Sequence, residues 1–268
     1  MKADLHTHTT YSDGKLQVDE LIQLAVSHHL DYLSITDHDT FEGVKLAKKT
    51  KEPITVIYGM ELSTYHKKES IHVLSYFKED TFTATLQPIL DHQIHNRKGR
   101  AYKMLEKLKE IFAIDLNPAF IEQLKSVTRG SIAKEIVKQG FASSTKEVFA
   151  RMIGDDCPAY IPSSKLSTQE GIQLVKQAKG LAVLAHPMNL KVNRLDEILQ
   201  FPFDGVEGIY PNHTDKKAYY RDIAKQYNLF LTGGTDFHTF DDGKHGNLGD
   251  TYLADEDVEI FLKRLYEC

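Results

Sequence analysis

The chain has 268 residues, 41% hydrophobic and 26% charged, with a formal net charge of minus 5, which suits one large globular domain or a domain with an insert and excludes a disordered chain or a broadly basic nucleic-acid-coating surface. Its two cysteines, Cys157 and Cys268, lie far apart, so a disulfide framework is not expected and a reducing, cytoplasmic setting is. The start Met1-Lys2-Ala3-Asp4 turns polar at once and no apolar run approaches ~18 residues, so neither a signal peptide nor a membrane span is expected.

The first stretch, residues 3–8, alternates as a short strand and sends His6 and His8 to one side. Tyr11-Ser12-Asp13-Gly14 is turn chemistry, and Val18, Leu21, Ile22, Leu24 and Ala25 recur at helical spacing. A strand over 32–35 ends at Asp37-His38-Asp39, a helix follows through Val44, Leu46 and Ala47, and a strand over 54–60 ends at Glu61. Strands joined by helices lie parallel, so their carboxyl ends gather on one face. After a polar turn at 65–69, residues 71–77 read as an antiparallel return strand, which places His72 near Glu61.

From about 80 to 162 the helical period takes over, with helices expected over 86–111, 118–125, 130–139 and 145–153. This change of period marks residues 80–162 as a helical insertion domain, and residues 1–79 with 163–268 as the discontinuous domain around it. The strand and helix alternation then resumes: helix 168–178, strand 181–185, helix 195–199, strand 205–209, helix 216–226, strand 229–232 and a closing helix 257–266.

Metal-competent side chains recur at one strand end after another: His6 and His8, Asp37 and His38, Glu61, His186, then Asp236 and His238. In a parallel barrel that edge is where active sites are built. Buried imidazoles and carboxylates are costly unless paired or metal-bound, so such a series points to a metal centre more than to a core. The mixed donor set suits Mn, Fe or Zn better than Ca or Mg and is too rich for a single ion, which implies two or three. His28, His29, His66, His92 and His95 sit in polar helical or turn contexts and are expected at the surface, whereas His213 and His245 follow strand-end loops and are expected near the pocket mouth. Arg97 and Arg100, with Lys98 between them, lie on a helix and share a face able to guide a nucleotide backbone.

Four groups of residues, His6-Thr7-His8 with Ser12-Asp13-Gly14, Thr36-Asp37-His38-Asp39, His186-Pro187 and Gly234-Thr235-Asp236-Phe237-His238, resemble the motifs of the PHP (polymerase and histidinol phosphatase) phosphoesterases. The likeness extends through Gly59-Met60-Glu61 and Ile71-His72-Val73-Leu74. It is greatest for the branch whose helical insert carries an Arg97-x-x-Arg100 helix and Val127-Thr128-Arg129, and whose members dephosphorylate 3',5'-bisphosphonucleotides or trim RNA from its 5' end. The resemblance implies an α/β fold, a distorted (β/α)7 TIM-like barrel with an inserted small helical domain, and a trinuclear metal centre.

Carried over residue by residue, the resemblance implies a first metal held by His6, His8, Glu61 and Asp236. Glu61 would bridge to a second, completed by His72 and His186, and Asp13, His38 and His238 would hold the third. Asp37 and Asp39 would orient or cap rather than ligate. Water between two such ions becomes a hydroxide nucleophile near neutral pH, so no Ser or Cys nucleophile is needed. Glu61, His186, Asp236 and His238 would carry the catalytic roles, with the leaving oxygen served by His186, His238 or the third ion. Substrate contacts are expected from Arg129, whose planar fork suits a non-reacting phosphate, from Ser131 where relatives often carry His, and from Arg97, Arg100 and His213.

The expected activity is therefore hydrolysis of a 3',5'-bisphosphonucleotide, a nucleoside monophosphate or short RNA 5' ends, with no membrane and no obligatory protein partner implied. A second reading within the resemblance is a histidinol-phosphate phosphatase. A third is a metal-binding structural module without activity, for which lost ligands would be expected; all nine positions here are metal-competent.

Overall fold

The structure, a computed structural model, describes residues 1–67, 69–124, 127–162, 166–190 and 194–267. The chain divides into two compact units, Met1–Pro88 with Leu166–Cys268, and Ile89–Lys165.

In the first unit, β1 (Lys2–Thr7), α1 (Val18–Ser27), β2 (Tyr32–Ile35), α2 (Glu42–Ala47) and β3 (Thr55–His66) alternate, and β4 (Glu69–Phe77) returns. The second unit holds most of α4 (Gln87–Phe112), which follows the short α3 (Phe82–Thr85), together with α5 (Ala119–Gln123), α6 (Arg129–Lys138), α7 (Thr145–Val148) and one π-helical turn over Phe149–Ile153. The first unit then resumes with α8 (Thr168–Gln177), β5 (Leu181–Leu184), α9 (Leu195–Ile198), β6 (Gly205–Ile209), α10 (Lys217–Gln226), β7 (Phe230–Gly233), β8 (Leu253–Ala254) and α11 (Asp255–Glu267). Lys125, the expected end of the helix over 118–125, and residues 163–165 beside the expected domain boundary lie outside the described residues, as does Cys268.

Eight strands form one sheet in the order β7-β6-β5-β4-β3-β2-β1-β8. β4 runs antiparallel to both β3 and β5, β8 runs antiparallel to β1, and the remaining pairings are parallel. An isolated parallel bridge between Thr7 and Phe237 joins β1 to the segment after β7 and nearly closes the sheet into a barrel. The expected α/β barrel is thus present, with an eighth strand of two residues, too short to carry a periodic signal.

Closure demands a glycine. A Cβ on Gly234 would stand 2.6 Å from the His6 amide nitrogen and 2.7 Å from Asp4 Oδ1, so only Gly lets the two backbones approach so closely. A core of Leu5, Ile57, Leu74, Tyr76, Val183, Phe230 and Phe261 fills the unit, and Tyr76 donates its hydroxyl to the Leu5 carbonyl at 2.9 Å. The helical unit has a core of its own, centred on Met104, Leu108, Ile121, Ile132, Ile136 and Ile153. Among the described residues no helix is long and apolar enough to cross a membrane.

Candidate metal centre

Period two along β1 puts Asp4, His6 and His8 on one side of the strand, all of them buried. Asp4 accepts from the Thr235 amide (3.0 Å) and hydroxyl (2.6 Å), which ties β1 to the loop that presents Asp236 and His238. Burial pushes the Asp4 carboxyl up to about 7, against the pull of the Thr235 donors.

Glu61 was expected at the end of its strand; it lies near the middle of β3 instead, because the β3 and β4 hairpin continues to His66 and Glu69. In that register Ser63 faces His72 and Glu61 is its diagonal neighbour, within cross-strand reach. His72 Nδ1 stands 2.7 Å from Glu61 Oε1, as the return-strand reading required.

The two Glu61 oxygens face different histidines. Oε1 meets His72 Nδ1 at 2.7 Å and His186 Nε2 at 3.0 Å. Oε2 meets His8 Nε2 at 3.2 Å, His38 Nδ1 at 3.2 Å and His6 Nε2 at 3.3 Å. Asp236 Oδ1 lies 3.1 Å from His6 Nε2 and 3.2 Å from His8 Nε2. His238 Nε2 approaches Asp13 Oδ1 at 3.2 Å, and His38 Nε2 is 3.8 Å from Asp13 Oδ2. His238 is aimed by its other nitrogen, 2.7 Å from the Asp236 carbonyl, and His186 and Asp236 both hold left-handed backbones, with φ of 27° and 51°. Such conformations cost energy for residues other than Gly and collect at functional sites.

All nine residues therefore meet in one cluster, and three overlapping groups within it could each hold an ion: His6, His8, Glu61 and Asp236; His38, Glu61 and His72; His8, Asp13, His38 and His238. His186 joins through Glu61. The residues fit divalent cations. Buried His8 Nε2, His38 Nδ1 and Asp236 Oδ1 make no hydrogen bond despite their close neighbours, as expected of donor atoms aimed at a metal. The electrostatics agree. Burial disfavours the charged forms of Glu61 and Asp236, yet the surrounding histidines outweigh it and hold both carboxyls well below their usual range. Burial would also lower His8, but the adjacent Asp236 and Glu61 carboxylates raise it to about 10, whereas His38 is brought down to about 4, chiefly by burial. Protons on His6 and His8 thus supply the positive charge that a divalent ion would bring.

Other sequence expectations fall in several places. Asp37 and Asp39 brace backbone: Asp37 accepts from the Thr9 amide, the Thr9 hydroxyl and the Ser12 hydroxyl, and Asp39 accepts from the Ser63 amide at 2.7 Å. His28, His29, His92 and His95 are exposed, but His66, expected at the surface, is half-buried with Nε2 2.7 Å from Glu197 Oε1. His213 is half-buried in the loop after β6, and the metal-competent groups among the described residues do not include it.

In the helical unit Arg129 pairs with Asp155 at 2.8 Å and lies over the Tyr160 ring, as does Arg100, which also donates Nε–H to the Ile161 carbonyl at 2.7 Å. Burial lowers the Arg100 guanidinium, and the charges of Arg129 and Arg97 add to the effect, so the three arginines share one neighbourhood. Ser131 is engaged locally: its hydroxyl accepts from the Thr128 amide and donates to the Thr128 carbonyl at the start of α6.

Sequence reasoning missed Glu207, Tyr210 and the reach of His245. Glu207 is fully buried with Oε1 2.9 Å from His6 Nδ1, and Tyr210 donates to Asp236 Oδ2 at 2.7 Å. His245 stacks on His238 with ring centres 4.2 Å apart, while its Nδ1 meets Asp242 Oδ2 at 2.6 Å. A carboxylate inside the otherwise apolar Val206-Glu207-Gly208-Ile209 was the available signal for the first.

Residues 4–151 match the model of the PHP domain. The chain belongs to the PHP domain family. A 5'-3' exoribonuclease Rnm of Escherichia coli (strain K12) is 30% identical over 251 residues, covering 88% of this chain and 84% of that relative. Phosphoribosyl 1,2-cyclic phosphate 1,2-diphosphodiesterase of Eggerthella lenta is 26% identical, covering 92% and 97% of the two chains. The 3',5'-nucleoside bisphosphate phosphatase of Chromobacterium violaceum is 25% identical, covering 90% and 88%. Among solved structures, a candidate metal-dependent phosphoesterase from Bifidobacterium adolescentis is 27% identical, covers 98% of this chain and 96% of its own, and superposes with a TM-score of 0.74. This PHP chain is a metal-dependent hydrolase with a divalent-metal site.

Proposed function

We propose that the chain hydrolyses phosphate esters of nucleotides: a 3',5'-bisphosphonucleotide, a nucleoside monophosphate or the 5' end of a short RNA. The observation that carries this reading is Glu61, whose two oxygens face separate histidine sets, the arrangement a carboxylate needs to share itself between ions. Two to three ions of Mn, Fe or Zn would be held, by His6, His8, Glu61 and Asp236, by Glu61, His72 and His186, and by Asp13, His38 and His238. Ions bound there would lower the pKa of water to near neutrality and neutralise phosphoryl oxygens.

The chain's own residues do the rest. Glu61, His186, Asp236 and His238 fix the reacting edge, and burial of Glu61 and Asp236 keeps bulk water from those two carboxylates. Arg129, with Arg97 and Arg100, would clamp a phosphate that does not react, with His213 as a further contact. Two relatives, by name, act on RNA and on a nucleoside bisphosphate, which supports the nucleotide class. A cytoplasmic setting fits such substrates.

The deciding experiment is metal analysis joined to a substrate panel of a 3',5'-bisphosphonucleotide, AMP, a 5'-phosphorylated oligoribonucleotide, a ribose 1,2-cyclic phosphate and histidinol phosphate, assayed with Mn. Turnover of the nucleotides by wild type, and none by His8→Ala or Asp236→Asn, is expected. Preference for histidinol phosphate or the cyclic ester would reject the substrate class, and silence from all three proteins would favour a non-catalytic module.

A further inference from the structure

We infer that Glu207 is the positioning residue of the metal centre, one carboxylate that sets the tautomer of His6 and the backbone of His186 together. The inference rests on the metal-centre reading above. Glu207 sits in the middle of β6, a strand in which every residue is buried, and its own side chain has no exposure. Among the described residues each of its oxygens has one hydrogen-bond partner. Oε1 lies 2.9 Å from His6 Nδ1, and Oε2 accepts from the His186 amide at 2.7 Å.

The consequences differ for the two histidines. A carboxylate only accepts, so His6 must carry its proton on Nδ1. With an ion bound in place of the second proton, the lone pair would lie on Nε2, the atom 3.3 Å from Glu61 Oε2 and 3.1 Å from Asp236 Oδ1. A neutral imidazole ligates through the nitrogen its partner leaves free. At His186 the restraint acts on the main chain, because the residue holds φ 27° and ψ 59°, a conformation that needs outside support. The bond to Glu207 supplies it and aims His186 Nε2 at Glu61 Oε1, 3.0 Å away. Glu207 therefore reaches a histidine at each oxygen of Glu61, His6 at Oε2 and His186 at Oε1.

Glu207→Gln is the informative variant because it keeps the shape and breaks the logic. An amide offers one acceptor and one donor side. With its oxygen on the His186 amide, its NH2 meets His6 Nδ1 and drives the His6 proton onto Nε2, the metal-facing atom. Turned over, the NH2 confronts the His186 N–H, donor against donor. In either orientation one histidine is lost to the centre, and a change at such a partner typically weakens metal binding 10- to 100-fold.

Mn and Zn affinities should be measured by titration calorimetry on wild type and Glu207→Gln, with ion content counted by mass spectrometry and the metal-free proteins compared by melting. At least tenfold weaker binding by a variant that melts as a folded protein is the expected result; less than tenfold overturns the inference. Should Glu207→Gln fail to fold, nitrogen-15 NMR of the histidine rings in zinc-loaded wild type decides, with a proton on His6 Nδ1 expected and one on Nε2 overturning it. A wild type that takes up no ion would instead reject the metal-centre reading, and this inference with it.

Discussion

In the barrel unit the titratable groups are buried and face one another, with Glu61 2% exposed between five histidine nitrogens. In the helical unit the arginines stay in part at the surface, Arg129 29% exposed, leaning on the Tyr160 ring and on one carboxylate, Asp155. The first arrangement is fixed by strands of one sheet, parallel and antiparallel, that cannot shift singly without breaking it. The second rests on helix faces, where a neighbouring side chain can change without disturbing the core formed by Leu108, Ile132 and Ile136. Chemistry that needs donor atoms held to fractions of an ångström belongs on the former, and on the proposed function the latter would carry the contacts that distinguish one phosphate ester from another.

The largest test of that division is Glu61→Gln. The amide keeps the volume but can no longer offer two anionic oxygens to two histidine sets, so ion content falls and turnover drops on the order of 10³-fold. Mass-spectrometric ion counts and a phosphate-release assay read the two together. Retention of more than a tenth of the activity would mean that the barrel cluster is not the reacting centre.

Arg129→Ala should behave otherwise. A charge-assisted hydrogen bond to phosphate is worth about 1.5–3 kcal/mol, so KM is expected to rise roughly 10- to 100-fold while ion content stays whole. Arg129→Lys should recover the charge but not the two-pronged contact. If Arg129→Ala lowers kcat or empties the metal site instead, the division of labour between the units is wrong.

The two regions were unequally legible in the sequence. Strands and helices came through nearly to their ends, because a period of two and a period of 3.6 are local properties: residues 32–35 and 205–209, for example, match β2 and β6. The strand-end histidines were visible for the same reason. β3 was cut short at Met60, since the pairing that carries it to His66 comes from β4 and not from its own pattern. Glu207 read as part of a strand, and its purpose appears only when β1 and β6 bring it to His6, 201 positions away in sequence. His245 and Asp242 lie in an aperiodic loop, where contact with His238 is a tertiary fact. In the helical unit Arg97, Arg100 and Arg129 could be named as cations, but not the Tyr160 ring that Arg100 and Arg129 share, which follows the π-helical turn that interrupts the helix expected over 145–153.

Proton competition sharpens the contrast next. Burial would lower His8, but Asp236 and Glu61 raise it above its ordinary 6.5 to about 10. A raised histidine contributes stability that is fully present below about pH 6.5 and is lost as pH climbs through about 10, so the metal-free protein should melt progressively lower over that range. An ion must displace these protons, and its affinity should therefore rise with pH, about tenfold per unit for each proton released. Calorimetry in two buffers of different ionisation enthalpy counts the protons. A pH-independent affinity would show that His6 and His8 do not hold the ion.

The smallest effect is expected at Ser131, where the sequence pattern and the local geometry pull apart. The side chains of Thr128 and Ser131 exchange hydrogen bonds with each other's amides, at 3.1 and 2.9 Å, closing the start of α6 on either side of Arg129. A hydroxyl so engaged has little left for a phosphate. Ser131→Ala should therefore cost about 0.5–1 kcal/mol of stability through the lost half of the cap, read as a fall of a few degrees in the melting temperature, with a KM change of less than about threefold, well under the 1.4 kcal/mol that a tenfold change would need. A tenfold rise in KM with no loss of stability would reverse the assignment: Ser131 would then contact substrate directly, and Arg129 would have to be tested again in that background before either is counted as the phosphate clamp.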